Sequence, residues 1–168
     1  MNKVPSNILH SIGVDLLDLC RRGESEIHRL SMKDYHGFKK CRVPPTVLDP
    51  ILATYEVSPI DVQIEIVSVL CDLIHETHIH KVANAYIMVL GAVDRFDDPV
   101  DAYALRGKKW MAVTPGQIID VPACIPHTVT VLSGGIVHFL SVQSPPIERN
   151  SGDDYYKVTS STPFPYAR

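Results

Sequence analysis

Two histidines one residue apart, His78 and His80, and a third at His127 behind the turn Pro122-Ala123-Cys124-Ile125-Pro126 are the residues of this chain best suited to metal chemistry. On a strand, His78 and His80 project from one face, because strand side chains alternate with period 2. A third imidazole from a distant strand would close three sides of a cation site and leave other positions open. Neutral nitrogen donors suit Fe, Zn, Ni, Cu and Mn with little discrimination. One ligand list therefore serves two reaction classes. The centre can be zinc-like, activating water as a Lewis acid, or ferrous, taking dioxygen and a chelating substrate.

Other residues are candidates with plainer alternatives. His138, on the apolar run Ile136 to Gln143, can point inward as a proton carrier, since an imidazole titrates near neutrality; a hydrogen-bonded structural histidine is the alternative. Tyr86, Tyr103 and Trp110 can line a substrate pocket or simply pack. His75 falls on the opposite strand face from His78 and reads as a rim residue. Cys124 reads as a small turn residue, and Asp97-Asp98 before Pro99 as a solvated loop.

The histidines also carry a family resemblance. The run from His78 through His80 to Gly91 resembles the first motif of the cupin superfamily, and Gly116 through Pro122 to His127 is similar to the second. The resemblance covers roughly residues 60 to 146, and the gap from Gly91 to Gly116 suits one hairpin. It implies a mostly β fold, a cupin-type double-stranded β-helix (jelly-roll) barrel, with His78, His80 and His127 holding a divalent metal. Asn84 stands where the family usually has Glu, Cys124 where the second motif usually has Gly, and Val131 where it ends in Asn. An amide oxygen can ligate only weakly, so Asn84 is carried as a ligand, a substrate contact or an orienting residue. The ending Ser141-Val142-Gln143-Ser144-Pro145-Pro146 resembles the close of many cupins, although Ser141 and Gln143 do not match the His and Tyr of thiol dioxygenases.

Positioning these groups requires strands. Val62, Ile64 and Ile66 alternate with Asp61, Gln63 and Glu65, as in a half-buried strand with a solvated polar face. Ala102 to Leu105 and Trp110 to Val113 flank the turn Arg106-Gly107-Lys108 as a hairpin, and Ile118 to Val121, Thr128 to Leu132 and Ile136 to Gln143 read as further strands. Residues 59–148 form the expected cupin barrel. Residues 1–58 form an N-terminal helical and irregular extension. In it Ser6 caps a helix with Leu9, Ile12, Leu16 and Leu19 on one face, ended by Arg21-Arg22-Gly23. Ser25 to Tyr35 reads as a second helix, and Cys41 to Pro50, with Pro44, Pro45 and Pro50, as irregular and extended. Residues 149–168 read as a C-terminal tail, a surface strap or disordered.

Composition narrows the function classes. With 168 residues, 45% hydrophobic and 21% charged, the chain reads as one soluble domain. A net charge of -3 and no Lys/Arg tract argue against nucleic acid, and no apolar run is long enough for a membrane span. The N-terminus lacks the apolar run of a secretory signal. Cys20, Cys41, Cys71 and Cys124 are scattered, without a zinc-ribbon pattern, which fits reduced thiols and a cytoplasmic location. The leading expectation is a metal-dependent oxidoreductase, an Fe(II) dioxygenase acting on a small polar metabolite. The alternatives are a sugar-processing isomerase or lyase using Zn, Ni, Mn or another divalent ion, with His138 moving the proton, and a non-catalytic small-molecule-binding cupin. The resemblance also implies a homodimer.

Overall fold

The computed structural model describes residues 2–22, 33–35, 38–70, 77–94, 96, 98–131, 135–147 and 154–158. Its strands are β1 (Lys33–Tyr35), β2 (Phe38–Arg42), β3 (Gln63–Leu70), β4 (His78–His80), β5 (Asn84–Val93), β6 (Ala102–Arg106), β7 (Lys109–Val113), β8 (Ile118–Val121), β9 (His127–Val131), β10 (Ile136–Ser144) and β11 (Tyr155–Lys157). Two helices precede β3: α1 (Ser6–Arg22) and α2 (Pro45–Thr54). The strands form two antiparallel sheets, one ordered β1-β2-β3-β10-β5-β8 and the other β11-β4-β9-β6-β7. The expected hairpin is β6–β7, with Gly107 at a φ of 65° in its turn. Among the described residues no helix is long and apolar enough to cross a membrane.

Side-chain alternation gives the first sheet two buried faces. Val67, Val69, Ala85, Ile87, Val89, Ile119, Val121, Val137 and Phe139 meet Ala102, Ala104, Val113, Val129 and Val131 of the second sheet. The intervening residues, Ile64, Ile66, Tyr86, Met88, Leu140 and Val142, pack instead under α1 and α2. The helix α1 buries Leu9, Ile12, Leu16 and Cys20 at helical spacing, and Leu19 lies to the side of that stripe. Gly13 lets the helix approach closely, since a Cβ there would lie 1.6 Å from Met88 Cε.

This double coverage corrects the reading of β3. Gln63 and Glu65 are 7% and 6% exposed and do not face solvent; they are the inward face of a sheet whose other face lies beneath helices. Three local expectations are also corrected. Residues 45–54 are helical: Pro44 takes the extended cap conformation and Pro45 the first turn, where a missing N–H costs nothing, and Leu52 anchors the helix in the core. Lys33–Tyr35 pairs as a strand with β2, while the rest of the expected second helix lies outside the described residues. Pro5 O accepts the first amides of α1, and Ser6 Oγ is used by Asn84 Nδ2 at 3.2 Å. Strands from outside 59–148 complete both sheets, β1 and β2 at one edge and β11 at another.

Candidate metal centre

The strand β4 is only three residues long, with His78 and His80 buried and Ile79 between them facing outward. The turn 81–83 returns the chain into β5, and the turn 122–126 delivers the chain from β8 to His127, the first residue of β9. There His127 lies directly opposite His78. All three imidazoles are buried, at 7%, 3% and 3% exposed. Their ring centroids are 4.9 Å (His78–His80), 4.2 Å (His78–His127) and 5.1 Å (His80–His127) apart. One nitrogen from each lies within 4.8 Å of the others, and no carboxylate or thiolate of the described residues belongs to this group.

The donor chemistry fits a cation. His127 Nδ1 is 3.0 Å from the Ile125 carbonyl. A carbonyl only accepts, so Nδ1 carries the hydrogen and Nε2 keeps its lone pair for a metal. Burial, reinforced by the neighbouring His127, pushes the His80 imidazole down to about 3, against a smaller opposing effect of the Asp154 backbone. That ring is neutral near pH 7, the form a metal requires.

The strand bearing His78 and His80 is clamped from outside. On the edge of the second sheet, β11 pairs Tyr155 with His80 and Lys157 with His78. The Asp154 carboxylate, 1% exposed, accepts from the amides of Val82 (2.5 Å) and Ala83 (3.3 Å), and its carbonyl accepts from Lys81. Lys81 Nζ sits 3.7 Å over the Tyr156 ring. Cys124 N donates to His80 O, and Cys124 adopts a φ of 64°, which explains why glycine usually occupies that motif position. Gly116 likewise has a φ of 87° and lies against the Arg21 guanidinium.

Several expected site residues lie elsewhere. Asn84 shares the helix-side face with Tyr86 and Met88; its amide oxygen accepts from Ala123 N at 3.1 Å and its nitrogen donates to Ser6, which corrects the expectation of an amide ligand. His138 is on the same outer face, where its Nδ1 lies 2.7 Å from Ser68 Oγ, so it is not an inward proton carrier. Tyr86 packs under α1, its ring edge-on to His10 at 5.6 Å. Tyr103 and Trp110 alternate with the inward Ala104 and Met111 and so occupy the outer face of the second sheet. None of the three aromatics lines the histidine side. His75 lies outside the described residues.

Polar residues stand on the inner wall in place of those aromatics. Gln63, Gln143, Ala85 and Val121 form one row across the first sheet, and Glu65, Ser141, Ile87 and Ile119 the next. The short links to His80 and His127 leave from the Ala85 and Val121 end of these rows. Gln143 Nε2 donates to Ser141 Oγ at 2.7 Å, Gln63 Oε1 accepts from Ile147 N, and Glu65 pairs with Lys40 at 3.3 Å. Counting forward in steps of two from Val137 and Phe139 places Ser141 and Gln143 inward.

No family model matches the chain, and no curated protein matches it in sequence. Solved structures do match in shape. Oxalate decarboxylase from Lactobacillus farciminis aligns over 79% of this chain with a TM-score of 0.52 and 12% identity; the chain spans 34% of that protein. TT1209 from Thermus thermophilus aligns over 72% of this chain and 95% of its own, with a TM-score of 0.52 and 16% identity. Pac13, a Streptomyces nucleoside dehydratase, aligns over 79% and 87%, with a TM-score of 0.51 and 12% identity. The two facing sheets, with their histidines delivered by the turns the motifs required, have the cupin-superfamily fold of these neighbours.

Proposed function

We propose that this chain is a metal-dependent enzyme acting on a small polar metabolite, and specifically an Fe(II) dioxygenase. The observation that supports this most is a buried group of three imidazoles, an uncharged donor set when deprotonated, with no carboxylate among the described residues. Three neutral donors leave a divalent charge uncompensated, and with Asn84 turned away they leave positions open to a chelating substrate. A ferrous ion held by His78, His80 and His127 would supply one-electron chemistry with dioxygen. The chain's own contribution is to fix the three rings, through Ile125 O behind His127 and the β11 clamp behind β4, and to line the interior with apolar side chains that exclude water.

A second reading, a lyase or isomerase, is favoured by Glu65, an inward carboxylate able to move a proton in place of the misplaced His138. Decarboxylase and dehydratase activities named for the fold neighbours are consistent with it. Oxygen uptake by the iron-loaded protein, measured with thiols, diketones and catechols, tests the dioxygenase. Turnover that persists without oxygen and is lost in Glu65→Gln supports the lyase or isomerase. Purified protein that takes up no Fe, Zn, Ni or Mn would sink both. We extend the proposal to a homodimer, as the sequence resemblance implies; light scattering in solution tests it.

A further inference from the structure

We infer that Gln143 is a specificity-determining residue of this centre, selecting a ligand whose hydroxyl group is set several atoms away from the group that meets the metal. The inference deepens the proposed function and rests on the histidine cluster being the working site. Two paths along the chain put Gln143 at the histidine end of the interior. It stands opposite Ala85, and from Ala85 the chain leads back through Asn84 and the turn 81–83 to His80. It also lies near the end of β10, and the short link from Val131 to Ile136 reverses the chain between β9 and β10. The strands of two facing sheets stay roughly aligned, and β9 packs against β10, so His127 at the start of β9 lies toward Gln143. Leu140 and Val142 face the helices, which turns Gln143 toward the second sheet with Val137 and Phe139. Sheets packed face to face stand about 10 Å apart, a gap that one small molecule spans between imidazoles and amide.

The amide is only half engaged. Its Nε2 donates to Ser141 Oγ at 2.7 Å, and Ser141 is itself 4% exposed on the same wall. Its Oε1 is buried and has no partner among the described residues. Turning the amide over would set Oε1 on Ser141 and leave Nε2 in the open position. Either way Ser141 anchors one polar atom while the other, buried, asks for a partner, and leaving such a group unmatched is costly. Its row does not supply one: Ala85 and Val121 have apolar side chains, and Gln63 Oε1 accepts from Ile147 N at 2.8 Å.

A group from outside the chain fits that position. Gln143 is half-buried between the fully buried Val142 and Ser144, as a residue bordering open space is. A hydroxyl answers both orientations of the amide, because it donates and accepts, whereas a methyl group answers neither. The ligand class is therefore a small molecule with a metal-binding group at one end and a hydroxyl at the other.

The test is calorimetric titration of the full chain loaded with Zn(II), setting 3-hydroxypropionate, 4-hydroxybutyrate and 5-hydroxypentanoate against propionate, butyrate and pentanoate. The shared carboxylate takes the metal, and the terminal hydroxyl is the variable. The hydroxy acid of fitting length should bind about fivefold more tightly than its alkanoate, the worth of one net hydrogen bond. Gln143→Met, which keeps the length and loses both hydrogen-bonding atoms, should bring that ratio to about one at unchanged zinc content. Gln143→Met combined with Ser141→Ala, which removes both ends of the internal bond, should melt no lower than the wild type in metal-free, ligand-free protein, since an empty binding site holds an unmatched amide. No hydroxy acid preferred over its alkanoate, or a preference that Gln143→Met retains, would overturn the inference. If zinc is not taken up, the proposed function fails, and the role of Gln143 rests on the double variant: a melting temperature clearly below wild type makes the glutamine a structural group and overturns it too.

Discussion

Asp154 lies far along the chain from every metal-binding motif, yet the structure makes it responsible for the geometry of the centre. Replacing it with alanine removes acceptors from two backbone amides. The Ala83 N–H sits in a residue that is 1% exposed, so its loss incurs the penalty of a buried unsatisfied donor, about 1–3 kcal/mol. Val82 is 50% exposed, so its amide can return to water and the loss is nearer the net worth of one hydrogen bond, about 1 kcal/mol. The expected destabilisation is therefore about 2–4 kcal/mol, read as a shift in the urea midpoint at constant slope. Because β4 meets β9 at the single pair His78–His127, release of β11 leaves the His80 backbone held across strands by the Cys124 amide, and metal affinity should fall by roughly 10- to 100-fold, the usual loss for a missing supporting contact. Substituting Co(II) and following its visible absorption separates a distorted site from a merely less stable protein. Asp154→Asn, which keeps one acceptor oxygen, should recover part of both effects. An Asp154→Ala protein within about 0.5 kcal/mol of wild type, with an unaltered Co(II) spectrum, would refute the reasoning.

Further outcomes follow from the same geometry. In metal-stripped protein the unfolded chain protonates His80 below about 6.5 while the folded chain holds it neutral down to about 3, so stability should rise with pH across that window, by up to about 1.4 kcal/mol per unit. Urea titrations from pH 4 to 7 on wild type and His80→Gln check this: a slope that survives the substitution assigns it to other groups. Gly13→Ala should lower the melting temperature, because moving the fully buried Met88 costs about 1–3 kcal/mol and the gain in helix propensity is only about 1 kcal/mol. Cys124→Gly should stabilise the protein by up to about 1 kcal/mol by relieving a left-handed backbone, with metal binding retained; a lower melting temperature would contradict the strain.

What could be read from the chain and what could not divide along one physical line. The spacing of His78 and His80 settles their common face whatever the sheet does around them, and the turn before His127 is set by Pro122 and Pro126; these local constraints survived intact. Tyr86, Asn84 and His138 read as candidates for the interior, each with a plainer alternative, because period 2 only says which residues share a face, never which face is the inside. That choice depends on what covers the sheet, and here α1 and α2 bury the second face as thoroughly as the opposing sheet buries the first. The alternation of Gln63 and Glu65 with Ile64 and Ile66 reads as one buried and one solvated face, yet both faces are covered and the polar residues are interior. The proline-rich helix α2 escaped for a related reason. Pro45 is tolerated at the first turn, the hydrogen bond that Pro50 forgoes inside the helix is offset by packing of Leu52, and packing is a property of the assembled fold. One residue whose orientation is known independently would have corrected the faces: once the histidines are taken as inward, registering β9 with β6 places Arg106 inward and Tyr103 outward by arithmetic alone. The three histidines are thus both the candidate metal ligands of this chain and the reference from which the facing of their neighbours is found.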